Sequence, residues 1–239
     1  METKLSVNLN KVALIRNARG GNLPDLVQTA IDCQQFGADG ITVHPRPDER
    51  HVRYDDLKPL REAVTTEFNI EGYPSEKFLD FVCDVKPDQC TLVPDPPGVL
   101  TSSEGWDVKT NAELLKRAVD RLKSNGIRVS LFLDPKPEYL EGVVFAGADR
   151  IELYTGDYAQ TFALGNPGEL LEQHKSTAKK AKELGLGVNA GHDFNLNNLG
   201  LYKKEVQPLH EVSIGQALVS DALYQGWRNA ILLYRRRLT

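Results

Sequence analysis

Residues 26–44 read LVQTAIDCQQFGADGITVH and contain a helix, a turn and a strand in succession. Apolar residues recur at helical spacing over 26–36, and Gly37 follows, a residue typical of helix ends. The β-branched run at 40–44 (GITVH) then predicts a strand. Residues 145–151 (FAGADRI) repeat the same turn before another strand, which indicates that the chain is built from a recurring helix–strand unit.

This unit extends over the whole chain, because predicted strands alternate with helical or irregular stretches. The predicted strands are residues 5–9, 40–44, 68–71, 89–93, 128–133, 150–154, 187–190 and 211–214. The predicted helices are residues 26–36, 55–65, 76–85, 111–125, 138–145, 169–184 and 217–233. The spans after the first strand and after Ala190 are short or rich in asparagine, and we expect irregular turns or short helices there. Such alternation predicts an α/β fold, a parallel (β/α)8 TIM barrel with additional helices.

The length of 239 residues is close to the roughly 250 that one such barrel needs, and no break in composition divides it. We therefore expect residues 1–239 to form a single TIM-barrel domain. The net charge of −4 and the pI of about 5.8 do not suggest a nucleic-acid or membrane-surface partner. Neither a signal sequence nor a membrane-spanning apolar run is evident, which predicts a cytoplasmic protein.

Three residues that can transfer protons follow three different predicted strands: His44, Glu71 and His192. A single histidine at a strand end is more often a structural hydrogen-bonding group, and a single glutamate is more often a surface residue. In a parallel barrel, however, the carboxyl ends of all strands meet at one mouth. Imidazole exchanges protons near neutral pH, and a carboxyl group shielded from water can do so too. We predict that these three groups catalyse proton transfers.

The same three side chains could instead bind zinc, since histidine and glutamate are common ligands. The HxH and HExxH spacings are absent from the sequence, and Lys11, Arg46 and Arg50 would crowd a divalent ion at the same mouth. We therefore predict no metal site.

Cationic residues follow the first two strands and suggest sites for anions. A guanidinium group matches the oxygens of phosphate, and we predict this role for Arg19 and Arg46. Ion pairs with nearby carboxylates are the alternative, which we favour for Arg16 and Arg50. The nearby carboxylates are Asp25, Asp48 and Glu49.

Glycines after the last two strands suggest a further anion site. Barrels often hold phosphate on the backbone N–H groups of these loops, and Gly191 and Gly215 allow close approach. Residues 94–110 are rich in glycine, proline and serine, and they form either a lid over the site or an ordinary surface loop.

From about residue 4 to the last helix, these motifs resemble the pyridoxine 5′-phosphate synthase family. The resemblance is carried by residues 7–10 (VNLN), 16–20 (RNARG), 37–44 (GADGITVH), Arg46, 48–51 (DERH), Glu71, 92–94 (LVP), 129–132 (VSLF), Glu152, 188–192 (VNAGH) and 214–215 (IG).

The resemblance implies an enzyme that condenses 3-amino-2-oxopropyl phosphate with 1-deoxy-D-xylulose 5-phosphate through an imine. The products are pyridoxine 5′-phosphate, phosphate and water. It implies no metal or organic cofactor, and an octamer of paired dimers. The family's acid/base groups correspond to His44, Glu71 and His192. Its substrate contacts correspond to Asn8, Arg19, Arg46, His51, Thr101 and the backbone at Gly215.

Four residues of the predicted substrate site depart from the usual pattern of the family. Asn10 and Lys11 stand where Asp and His are frequent, Gln216 where His is frequent, and Asp193 where Gly is frequent. Lys11 can still hold the anion of the pentulose phosphate. Asn10 can bond a hydroxyl group but cannot act as a base.

Two other functions remain open from the sequence. One is a metal-dependent sugar-phosphate isomerase or aldolase, which thorough chelation would inactivate. The other is a barrel that binds phosphorylated metabolites without catalysis, which would give no product from the two substrates.

Overall fold

In the computed structural model, which describes residues 2–95 and 104–239, eight parallel strands close into a barrel. Each strand pairs with the next along the chain, and the last pairs with the first. The strands are β1 Lys4–Asn8, β2 Gly40–Val43, β3 Glu67–Gly72, β4 Gln89–Leu92, β5 Arg128–Leu133, β6 Arg150–Tyr154, β7 Gly187–Gly191 and β8 Glu211–Ile214. The predicted parallel (β/α)8 barrel is confirmed.

Eleven α-helices within the described ranges accompany these strands. They are α1 Asn10–Asn17, α2 Leu26–Gln35, α3 Leu57–Ala63, α4 Glu76–Val85, α5 Ala112–Ser124, α6 Leu140–Ala146, α7 Gly156–Ala163, α8 Gly168–Glu183, α9 Leu199–Glu205, α10 Gln216–Gln225 and α11 Trp227–Leu238. None of them, in the part of the chain described, is both long and apolar enough to cross a bilayer.

The helix predicted over residues 217–233 was wrong, because this stretch forms parts of two helices. Gly226 separates α10 from α11 and has a φ of 74°, a left-handed conformation that interrupts a helix. Good helix formers on both sides of the glycine concealed the break. The spans after β1 and β7 hold the short helices α1 and α9, as predicted, whereas α7 was not predicted.

Polar and apolar side chains alternate along the strands, and the polar ones face the inside of the barrel. Leu5 and Val7 of β1 are buried in the apolar core, while Ser6 between them faces the other way. Thr91 of β4 contacts Glu152 of β6, although these strands are not neighbours. Such a contact is possible only through the interior, so the inside of this barrel is polar.

These interior side chains form a chain of hydrogen bonds across the barrel. Ser6 Oγ lies 2.7 Å from Thr42 Oγ1, and Asn69 Nδ2 donates to Thr42 Oγ1 at 3.3 Å. Thr91 Oγ1 lies 3.1 Å from Asn69 Oδ1 and 3.4 Å from Glu152 Oε2. Burial without a partner costs a polar group about 1–3 kcal/mol, so each member of this chain supports the next.

The amino ends of the strands, opposite the predicted site, hold a buried cluster of charges. Arg128 pairs with Glu67, and Arg150 Nη1 lies 4.0 Å from Glu67 Oε1 and 3.9 Å from Glu211 Oε2. Burial and the neighbouring Glu67 raise the pKa of Glu211 well above its usual value. Charge pairing therefore fills the closed end of the barrel.

The polar chain leads to a stability prediction. Thr42→Val keeps the shape of the side chain but removes the hydroxyl that Ser6 and Asn69 contact. We expect a loss of about 1–3 kcal/mol in the free energy of unfolding, because buried polar atoms lose their partner. Denaturant unfolding measures this loss.

Thr177→Val is the matched control. Thr177 is equally buried, and its hydroxyl donates to the Gln173 carbonyl, which the backbone N–H groups of α8 can also bond. An equal loss in both variants would show that the polar chain adds nothing to stability.

Candidate active site

A cavity of about 520 Å³ opens at the carboxyl ends of the strands. Barrel enzymes place their chemistry at this end. The cavity is lined by Asn8, Asn10, Lys11, Leu14, His44, Arg46, Arg50, His51, Glu71, Val93, Phe132, Glu152, His192, Asp193, Ser213, Gly215 and Gln216. Polar and charged side chains predominate, so the cavity suits a polar, charged ligand.

The structure brings His44, Glu71 and His192 into this one cavity, although the chain separates them widely. They follow or lie within β2, β3 and β7. Most of the predicted substrate contacts line it as well. These are Asn8, Asn10, Lys11, Arg46, His51, Asp193, Gly215 and Gln216.

Two predicted contacts are not placed there. Thr101 lies outside the described residues, as do residues 96–103 of the predicted lid at 94–110. Arg19 is exposed in the turn that follows the end of α1 at Asn17, and it does not line the cavity. A role for Arg19 in binding phosphate remains a prediction.

The ion pairs predicted for Arg16 and Arg50 are present, but one partner differs. Arg50 pairs with Asp48 at 2.7 Å, as predicted, and it also lines the cavity. Arg16 pairs with Asp56 through two contacts of 2.7 and 2.9 Å, and not with Asp25, Asp48 or Glu49. The pairing with Asp56 is non-local, since it joins α1 to the turn before α3.

Asn8 and Asn10 fix the strand ends around the cavity. The Asn10 N–H donates to Asn8 Oδ1 at 3.0 Å, and the His44 N–H donates to Asn10 Oδ1 at 2.8 Å. Asn8 Nδ2 donates to Glu71 Oε2 at 3.4 Å. The two asparagines thus join β1 to the ends of β2 and β3, and they hold two of the predicted acid/base groups in place.

Glu71 is buried at the end of β3. Its Oε2 lies 4.0 Å from His44 Nδ1. Burial, and to a lesser extent the negative charge of Asp95, raise the pKa of Glu71 to about 8, against the opposing effects of Arg46 and Asn8. A carboxyl group with this pKa can both give and take a proton near neutral pH.

Glu152 is a second buried carboxyl group in the cavity, and sequence reasoning did not assign it to the site. Burial and the nearby Glu71 raise the pKa of Glu152 to about 8. Thr91 has one hydroxyl proton, which it can give to Asn69 or to Glu152, and a protonated Glu152 can instead donate to Thr91. The polar position in the middle of RIELY was the available signal, but only the closed barrel shows that it faces the cavity.

The histidines at the end of β2 are uncharged at neutral pH. Burial, followed by the positive charge of Arg46, lowers the pKa of His44 well below its usual value. The same two causes lower the pKa of His51 to about 4, and the Val52 N–H donates to His51 Nδ1 at 2.9 Å. A neutral imidazole has one nitrogen that can accept a hydrogen bond or a proton and one N–H that can donate, so His44 can take part in either direction of proton transfer.

His192 differs from these, because its side chain is 38% exposed and lies beside a carboxylate. Its Nδ1 lies 2.6 Å from Asp193 Oδ2. Its ring meets that of Tyr154 edge-on, with 6.2 Å between the centroids. His192 is thus a histidine with an acidic partner, at the end of β7, whereas His44 follows β2.

Cations give the cavity its anion-binding character. Lys11, Arg46 and Arg50 line it, and Arg46 is held by Asp95 at 2.7 Å. Gly215 precedes α10, whose backbone N–H groups and dipole favour an anion. A Cβ on Gly215 would lie 3.2 Å from the Asn8 side chain, so a larger residue would press on the scaffold of the site.

Within residues 2–95 and 104–239, no group of three or more His, Cys, Asp or Glu side chains is arranged to hold a metal ion.

Comparison with known proteins finds one matching family and close relatives that share one name. Residues 5–239 match the family described as "Pyridoxal phosphate biosynthesis protein PdxJ". Proteins named "Pyridoxine 5'-phosphate synthase" from Flavobacterium johnsoniae, Cytophaga hutchinsonii and Bacteroides thetaiotaomicron are 53%, 54% and 54% identical to this chain. In each case the match spans 236 residues and covers 99% of both sequences.

Comparison with solved structures shows that this chain shares its fold with other barrel proteins, at sequence identities too low to indicate a shared function. A 3-keto-L-gulonate-6-phosphate decarboxylase from Vibrio cholerae superposes with a TM-score of 0.69 at 8% identity, covering 100% of this chain and 98% of that one. A tryptophan synthase structure from M. tuberculosis gives a TM-score of 0.66 at 12% identity, covering 100% and 94%.

The raised pKa of Glu152 predicts a dependence of stability on pH. The folded pKa of about 8 exceeds the ordinary glutamate value of 4.5, so the folded state holds a proton that the unfolded state releases between these values. The resulting stabilisation is complete below pH 4.5 and is lost as the pH rises through about 8. Glu152→Gln removes this titration. We expect the stability of this variant relative to wild type to grow by up to about 1.4 kcal/mol per pH unit over this range.

Denaturant unfolding at a series of pH values between 5 and 8 measures the difference. Glu62→Gln, which removes an exposed carboxylate from α3, controls for the loss of one acidic group. Parallel pH profiles for wild type and Glu152→Gln would contradict the raised pKa.

Proposed function

This chain belongs to the family described as pyridoxal phosphate biosynthesis protein PdxJ, and we propose that it condenses 3-amino-2-oxopropyl phosphate with 1-deoxy-D-xylulose 5-phosphate. It is an enzyme of vitamin B6 biosynthesis. The proposed products are pyridoxine 5′-phosphate, phosphate and water. One observation carries the proposal: the predicted acid/base groups His44, Glu71 and His192 share a single cavity with cations suited to phosphate.

In the first proposed step, the amine of one substrate attacks the ketone of the other. The amine must lose a proton to become a nucleophile, and the leaving oxygen must gain protons to depart as water. Glu71 and His44 lie 4.0 Å apart, and burial favours the uncharged form of both: Glu71 as a protonated acid and His44 as an unprotonated imidazole. This pair supports proton transfer in both directions as the imine forms.

In the later proposed steps, phosphate is eliminated, water adds, and the ring closes with loss of water. His192 is the proposed proton donor to the departing hydroxyl, because it lines the same cavity as His44 and is paired with a carboxylate. Glu152 provides a second protonated carboxyl group within the same cavity. Formation of an aromatic ring makes the sequence irreversible.

Phosphate binding is assigned to the cationic rim. Lys11 and Arg46 are proposed contacts of the pentulose phosphate, and the backbone at Gly215, before α10, is a proposed contact of the other phosphate. The remaining proposed contacts with substrate are Asn8, Asn10, Arg19, His51, Thr101 and Gln216. No metal or organic cofactor is part of this proposal.

An octamer of paired dimers is also part of the proposal. Several large apolar side chains are strongly exposed in the isolated chain, which supports burial between subunits. They include Leu23, Leu164, Leu223 and Tyr224, at 83%, 84%, 73% and 87% exposed. Sedimentation equilibrium measures the assembly state.

The decisive experiment mixes both substrates with the purified protein and follows the absorbance of the pyridoxine ring. Product formation that survives thorough chelation supports the proposal. Activity lost on chelation and restored by a divalent ion would indicate a metal-dependent isomerase or aldolase. Binding of both substrates without product would indicate a non-catalytic barrel.

Glu71→Gln tests the role of the buried carboxyl group. Glutamine keeps the shape and a partner for Asn8 but cannot transfer a proton. We expect turnover to fall by roughly 10²–10⁴-fold, the usual contribution of a positioned acid or base. Substrate affinity, measured by calorimetry for each substrate alone, should change little. Turnover equal to wild type would remove Glu71 from the chemistry.

A further inference from the structure

The contact between His192 and Asp193 joins two consecutive residues that an extended strand would keep apart. Consecutive side chains of a strand point to opposite faces. Here His192 Nδ1 and Asp193 Oδ2 are 2.6 Å apart, and both residues line the cavity. The backbone must therefore depart from the strand between them.

That departure is visible at His192, whose φ is 92°. This left-handed region is unfavourable for a residue with a side chain and persists only where the surroundings impose it. Gly191 before it ends β7, and a Cβ there would lie 2.7 Å from the Ser213 carbonyl oxygen. The segment is thus packed tightly against β8 and then turns sharply.

Neighbouring elements hold the turn by hydrogen bonds. The His192 N–H donates to the Ser213 carbonyl at 3.3 Å, and the Asp193 N–H donates to Thr155 Oγ1 at the same distance. Asn198 Nδ2 donates to the Asp193 carbonyl at 3.3 Å. These three contacts use only backbone groups of His192 and Asp193, so the Asp193 carboxylate can accept a hydrogen bond from the imidazole.

We propose that Asp193 is a positioning residue that holds His192 with its proton on Nδ1 and assigns Nε2 to proton exchange with the substrate. A carboxylate accepts hydrogen bonds and cannot donate them, so the contact requires a proton on Nδ1. When a hydrogen bond fixes the proton on one ring nitrogen, the other nitrogen is the one that can exchange a proton with a ligand. The part of the proposal that concerns catalysis by His192 rests on the proposed function.

The position of the imidazole agrees with this role. The ring of Tyr154 meets it edge-on, which restricts its rotation together with Asp193. The ring lines the same cavity as His44 and Glu152, the other candidate proton-transfer groups. Asp193 was predicted as a substrate contact, and the geometry assigns its carboxylate to His192 instead.

The first test is the ring tautomer, which does not depend on any activity. Protein labelled with ¹⁵N-histidine is studied at a pH where the His192 ring is neutral, and its signals are assigned from their loss in His192→Gln. We expect the Nδ1–H tautomer in the wild type. In Asp193→Asn, whose amide can also donate to Nδ1, this tautomer should no longer dominate. A wild-type ring protonated on Nε2 would overturn the proposal.

The second test is kinetic. Asp193→Asn and Asp193→Ala should lower kcat by roughly ten- to hundredfold, less than the loss of a proton-transfer group itself, and change KM for either substrate little. Asp157→Ala, which removes an exposed aspartate from nearby α7, is the matched control and should keep wild-type values of both. A rise in KM with unchanged kcat would show that Asp193 binds substrate and would contradict positioning.

Together, the tautomer measurement and the kinetic measurement distinguish a failure of the positioning role from a failure of the proposed function. If the wild type forms no product but shows the Nδ1–H tautomer that Asp193→Asn loses, the proposed function fails while the positioning of His192 by Asp193 stands. If product forms and the Asp193 variants turn over at the wild-type rate, the positioning role fails and the proposed function stands.

Discussion

Polar side chains inside a closed barrel have little water to bond, and in this protein a continuous series of them bond one another. The chain from Ser6 through Thr42, Asn69 and Thr91 reaches Glu152 across the interior. One buried polar group without a hydrogen-bond partner would destabilise the folded state by as much free energy as several favourable contacts contribute. The apolar faces of the same strands pack against the helices, so the barrel combines a dry outer layer with a hydrogen-bonded centre.

The candidate site is the open end of this polar interior. Burial makes ionisation costly for Glu71 and Glu152, the charge of Glu71 adds to the cost for Glu152, and burial keeps His44 neutral among cations. Glu71 and Glu152, which would be charged in water at neutral pH, are therefore held neutral, with pKa values near 8. The positive charges of the rim are balanced in part by Asp95, which fixes Arg46. The same burial that organises the fold thus sets the acid/base character of the cavity.

Sequence reasoning was most successful where local chemistry decides the outcome. The strands at 128–133, 150–154 and 211–214 and the helix at 76–85 were predicted with the observed bounds. It failed in two places. Gly226 was a local signal for a helix break, but the helix-forming stretches on both sides outweighed it. Arg16 pairs with Asp56 across two elements, and local propensity, which describes one segment at a time, contains no information on that pairing.

The sequence by itself determined the alternation of strands and helices, the closed parallel barrel, and the presence of His44, Glu71 and His192 at strand ends. These follow from periodicity and turn chemistry, and the topology then gathers strand ends at one mouth. Only the tertiary structure decided that Glu152 faces the cavity, that Arg19 does not line it, and that Asp193 bonds His192. Each depends on where a side chain points and how deeply it is buried, which packing between distant segments sets.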